Sequence, residues 1–95
     1  MTVRAIWNDT VLAESDDTII VEGNHYFPSS SMHQDMFRTS DHRTVCPWKG
    51  EASYLDVVVD GEVNPAAAWT YVAPKPAAGE LTGRVAFWRG VRVET

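Results

Sequence analysis

The sequence predicts a mainly β fold: a small antiparallel domain of two sheets, arranged as a tent-like pair or a partly open barrel, with one or two short helices. Three observations lead there. Runs rich in β-branched and aromatic residues alternate with two-residue turn pairs, which is how a chain of hairpins reads. Helix start signals are few. Four tryptophans, three tyrosines and three phenylalanines supply the large apolar side chains that a small sheet protein must bury, each hiding about 150 to 250 Å².

Taken in order, "RAIW" and "VLAE" are joined by Asn8-Asp9, a hairpin pair. In "TIIVEGNHYF" the turn is expected at Gly23-Asn24, with glycine first, where a positive φ costs nothing. That register sets Glu22 opposite His25 and Val21 opposite Tyr26. "PSSSMHQDMFRTS" carries the clearest helix signal: Ser31 and Gln34 form a capping box, and Met32 and Met36 share one face. Asp60-Gly61 closes a hairpin after "SYLDVVV". Asn64-Pro65 before "AAAW" predicts a single helical turn. "PKPAAGELTG" enters extended and offers a weaker turn, and Arg89-Gly90 joins "RVAFW" to "VRVE" as a fourth hairpin. Strand parity places Ile6, Ile20, Phe27, Leu55, Val57, Val59, Val85 and Phe87 inside.

Ninety-five residues make one domain, spanning 1–95. No apolar run approaches the roughly 18 residues that cross a bilayer, so no membrane partner is expected. The N-terminus shows no basic region followed by an apolar stretch, and a single cysteine makes no internal disulfide; both lead to the expectation of a cytoplasmic protein. Net charge is -5 with no basic cluster, which argues against nucleic acid as a partner. No cofactor motif is present. Hairpin edges such as "VRVE" offer a surface on which two copies could pair as a homodimer.

Chemistry-bearing residues concentrate in two places. A carboxylate at Glu22 facing the imidazole of His25 is how a general base is often held, and it is equally an ordinary cross-strand pair. In "TVCPWKGEASY", Cys46 would need a nearby cation or base to act as a nucleophile, and is otherwise a small buried hydrophobe. Lys49 and Glu51 are two apart and share a face on an extended backbone, either as a surface ion pair or as a pocket mouth where lysine beside Trp48 holds an anionic or carbonyl group. One cysteine with scattered His25, His33 and His42 lacks the paired spacing of a metal site. Asp56 and Asp60 have no glycine-rich phosphate cradle beside them and read as strand-edge groups. Trp69 and Tyr71 sit on one strand face ahead of a rigid proline segment, a common way to wall a pocket.

Four blocks together, "VEGNHYFP", "CPWKGEASY", "NPAAAWTYVAPKPAA" and "GRVAF", resemble the domain of unknown function 427 family, from about Val21 to Trp88. The resemblance implies a single β-tent domain in which two sheets enclose a cavity. The family's nucleotidyltransferase-like heading implies a chemistry whose glycine-rich loop and paired aspartates this chain lacks. Glu22, Asn24, His25, Tyr26, Cys46, Pro47, Trp48, Lys49, Gly50, Glu51, Tyr54, Trp69, Tyr71 and Pro74 match its recurring motifs. Residues and resemblance together favour binding of a small molecule or a modified side chain in a cavity lined by Tyr26, Trp48, Tyr54, Trp69 and Tyr71, with His25, Lys49 and Glu51 orienting it. Two alternatives stand beside this. One is acyl or group transfer, with Cys46 or Lys49 as nucleophile and Glu22/His25 as base. The other is a protein interaction module.

Overall fold

A computed structural model describes residues 1–95. Nine strands run in order: β1 (Val3–Trp7), β2 (Thr10–Ser15), β3 (Ile19–Val21), β4 (Asn24–Pro28), β5 (Phe37–Cys46), β6 (Gly50–Val59), β7 (Glu62–Thr70), β8 (Arg84–Phe87) and β9 (Arg92–Glu94). They form two antiparallel sheets, one ordered β2-β1-β9 and the other β3-β4-β8-β7-β6-β5, with no closed barrel. No helix is long and apolar enough to cross a membrane.

Four tight turns share one geometry: Asn8-Asp9, Glu22-Gly23, Asp60-Gly61 and Arg89-Gly90 each have positive φ at both central residues, as a type I′ turn requires. The first and third fall where the sequence puts them. The second is one residue early: Val21 pairs with Asn24 and Ile20 with His25, so the expected Glu22/His25 opposition does not form. Glycine occupies the second central position, and Glu22 takes the first at φ 53. The slide carries Ile20 away from Phe27, and at 63% exposed it lies outside the core it was expected to join.

Arg89-Gly90 is a turn but not a hairpin. β8 pairs with β4 and β7, while β9 crosses to the other sheet and pairs with β1. The helix expected from Ser31 is replaced by two single 3-10 turns, Ser29–Ser31 and Gln34–Met36. Its capping-box side chains turn elsewhere, Ser31 Oγ donating to Pro28 O and Gln34 Nε2 to Ser29 O. The backbone between them bonds to β2 through His33 N and Leu12 O, which outcompetes a free-standing helical turn.

The helical turn expected at Asn64-Pro65 is instead an irregular stretch of β7. The β6–β7 register jumps between Leu55 and Val57, and Ala66 adopts φ 52. Its buried N–H donates to Asp56 Oδ1 at 2.8 Å, and its carbonyl accepts from Trp88 Nε1 at 2.6 Å. Asp56 therefore completes a backbone bulge. Asp56→Ala leaves that N–H without its partner and should cost about 1–3 kcal/mol, read by urea unfolding.

The six-stranded sheet has two buried faces. On one, Phe27, Val57, Val85 and Phe87 pack against Val3, Ala5, Leu12 and Ala13 of the smaller sheet, with Phe27 and Phe87 edge to face at 5.5 Å. Of the expected core residues, Leu55 is half-buried at its margin, whereas Ile6 is half-buried without packing against this core, because Val3 and Ala5 take the inward positions of β1. Alternation sends Tyr26, Ala52, Tyr54 and Ala86 to the other face, where Tyr71 joins them under the 3-10 segment Pro76–Leu81 through Ala78 and Leu81. That second face carries the candidate site.

Candidate functional site

The site is built at the β5–β6 corner. Cys46 pairs with Gly50, leaving Pro47, Trp48 and Lys49 as a three-residue loop that Gly50 closes at φ 112, a conformation that L side chains rarely adopt. The proline segment then lies over the corner: Lys75 N donates to Lys49 O at 2.8 Å, and Lys75 Nζ to Pro47 O at 2.6 Å. These bonds fix the loop so that the Lys49 side chain turns inward and Trp48 stays 41% exposed.

Lys49 is the only charged or polar residue that is buried, at 7% exposure. Its ammonium lies 5.3 Å from the centroid of the Trp48 ring and 5.5 Å from that of Tyr71, within the range where an aromatic face attracts a cation. Its ion-pair partner is Glu22, reaching across from the β3–β4 turn, with the glutamate side chain 54% exposed. So the two segments singled out in the sequence do meet, but through Glu22 and Lys49.

Burial alone would lower the pKa of Lys49; the hydrogen bond that it donates to Glu22 and the charges of Tyr26, Tyr71 and Glu22 outweigh it and hold the group above its ordinary value. Burial pushes Tyr71 up, against the opposing pull of the Lys49 ammonium. Both groups thus keep their protons more tightly when folded. Their contribution to stability is complete below the unfolded values, about 10 for each, and is lost as pH rises through the folded ones. Thermal unfolding followed against pH should show a fall beginning above about pH 10, and the fall should be shallower in Lys49→Met.

Beside this corner the aromatic face continues. Trp69 Nε1 donates to Tyr26 Oη at 3.2 Å, and the rings meet edge to face at 6.2 Å. Tyr54 lies 6.4 Å from Trp69 and 6.1 Å from Trp88, its hydroxyl 3.0 Å from Thr44 Oγ1, and exposed His42 covers its edge at 4.5 Å. Tyr26, Tyr54, Trp69 and Tyr71 are therefore gathered as expected, with Trp48 and Lys49 at their edge. The rings touch one another, and no pocket opens among them.

His25 and Glu51 do not join them. Alternation turns His25 to the face opposite Tyr26, where its Nδ1 lies 2.9 Å from Thr18 Oγ1. Glu51 sits between buried Gly50 and Ala52 and is exposed, so it points away from Lys49's surroundings. Cys46 is half-buried against the second face. Of the group-transfer candidates, Cys46 and His25 thus lie on opposite sides of the sheet, and only Lys49 and Glu22 meet. Trp88 and His42 extend the aromatic face and were not among the expected site residues. Trp88 was legible in part, since it continues the β8 alternation from Ala86, whereas nothing in the sequence around His42 signals its contact with Tyr54.

These features define a small two-sheet β domain with a lysine-centred corner on an aromatic face. The chain belongs to the family described as a domain of unknown function (DUF427), whose model matches residues 1–95. A search of the curated proteins finds no match.

Proposed function

We propose that this chain is a binding domain whose recognition point is the Lys49 ammonium, framed by Trp48 and Tyr71, and that it takes a small molecule or a modified side chain there. The observation that carries this reading is the burial of a single lysine at a loop corner. Stability gives little reason for it, because an apolar side chain of similar volume commonly replaces a buried ion pair without loss. A cation held between two aromatic faces, with its partner on an exposed turn, is instead suited to meeting an anionic or carbonyl-bearing group. The ligand would enter by displacing two exposed elements, the Trp48 side chain and the β3–β4 turn. Tyr26, Tyr54 and Trp69 would give the site a rigid floor.

The group-transfer alternative gains nothing from the geometry: an ammonium held in its charged form is a poor nucleophile, and His25 faces the other side of the sheet. A metabolite thermal-shift screen compares wild type with Lys49→Met. The variant should fold with stability within about 1 kcal/mol of wild type. Ligands that raise the wild-type melting temperature should bind it at least about tenfold more weakly, the equivalent of roughly 1.4 kcal/mol. A screen with no shift in wild type at millimolar ligand, or with shifts unchanged in Lys49→Met, would contradict the proposal.

A further inference from the structure

Four turns of the same geometry permit a comparison within the chain. At the first central position, where φ is positive, two of them place Asn8 and Asp60, short side chains that tolerate the left-handed region. The other two place Arg89 and Glu22, both at φ 53 and neither with such tolerance. Each has a distant partner: the Arg89 guanidinium lies over the Trp88 ring and donates to Pro65 O, whereas the Glu22 carboxylate lies on the buried Lys49. The two halves of this pair differ: the Lys49 side chain is buried, whereas Glu22 is more than half exposed, on a turn whose Gly23 has open space around it, so a solute can reach the carboxylate and take its place.

We infer that Glu22 is an internal occupant of a carboxylate-binding site formed by Lys49, Trp48 and Tyr71, and that the ligand is a small carboxylate that displaces it. This rests on the binding reading above and adds the ligand's chemical class and its built-in competitor. A carboxylate is the group that the corner already accommodates. The flanking rings suit an apolar stem behind it, since they present faces to the ammonium and leave Trp48 partly open to solvent. Because Glu22 is tethered, it competes at an effective concentration that a free ligand must exceed, on the order of millimolar for a short connection. Shortening its side chain should therefore raise affinity.

The test uses Glu22→Asn, which creates an Asn-Gly turn suited to this backbone and leaves a side chain too short to reach Lys49. Glu22→Gln, of similar size and uncharged, is the second variant should the first not fold. Propionate, inorganic phosphate and chloride are titrated at matched ionic strength, and the Cε resonances of Lys49 and Lys75, the chain's lysines, are followed by NMR. The expected result is a saturable propionate shift at Lys49 in Glu22→Asn, at least about tenfold weaker in wild type, and absent on chloride addition. Lys49→Met combined with Glu22→Asn should lose the melting-temperature rise that propionate gives the single variant. Equal responses to propionate and chloride would overturn the inference, as would tighter binding of phosphate. A neutral compound that saturates Lys49 in wild type while propionate fails in both variants would overturn the carboxylate assignment and leave the binding reading intact.

Discussion

Tyr26→Ala should be among the most damaging single substitutions in the chain, lowering stability by about 3–5 kcal/mol. Tyr26 is fully buried and is the largest side chain of which this is true. Removing its ring opens a cavity at the centre of the second face and leaves Trp69 Nε1 without its acceptor. A domain of this size holds roughly 5–15 kcal/mol in total, so the loss takes a large share of it. The melting temperature should drop by about 12–40 °C, at about 4–8 °C per kcal/mol. Tyr26→Phe separates the two contributions. It keeps the packing and removes only the hydroxyl, so its cost should stay near 1 kcal/mol. Calorimetry on both variants checks the pair, and equal losses would mean that the hydrogen bond, not the ring, supports this face.

Gly50→Ala should be the next most informative loss. A Cβ at Gly50 would stand 3.5 to 3.7 Å from the backbone of residues 73–75, which is ordinary contact, so crowding is not the problem. The problem is φ 112, which alanine adopts only under strain. The strain should cost about 1–3 kcal/mol, or about 4–24 °C in melting temperature. Because Gly50 closes the loop that turns Lys49 inward, relief of that strain would also move the ammonium. Ligand affinity should fall together with stability, in contrast to Lys49→Met, where affinity falls and stability holds. Unfolding and binding measured on the same two variants distinguish the cases.

Much of the fold was legible because turn chemistry is local. Asn8-Asp9 and Asp60-Gly61 determine two hairpins through positions that favour positive φ, and alternation in "RVAF" and "SYLDVVV" assigns Val57, Val59, Val85 and Phe87 to the first core. The errors are tertiary. Gly23 suits either central position of a two-residue turn, and local preference favours placing it first rather than putting glutamate at positive φ. Contact with Lys49, 27 residues away, accompanies the other choice. Likewise Asn64-Pro65 carries a local helix-start signal, but the carboxylate of Asp56 and the indole of Trp88 bind the backbone as a bulge. The aromatic members of the site could be read because they alternate on strands. The burial of Lys49 could not, since it follows from the proline segment folding over the loop and from Glu22 arriving from another hairpin.

The claim on which the functional account depends is that the Lys49 ammonium is held out of water between Trp48, Tyr71 and Glu22. Side-chain nitrogen NMR of the lysine ammonium groups tests it most directly, because Lys49 has only Lys75 for comparison. The account predicts a slowly exchanging Lys49 ammonium signal near neutral pH, ring-shifted by its aromatic neighbours and exchanging faster in Glu22→Asn. Two lysine signals that exchange equally fast, with neither responding to Glu22→Asn, would contradict it.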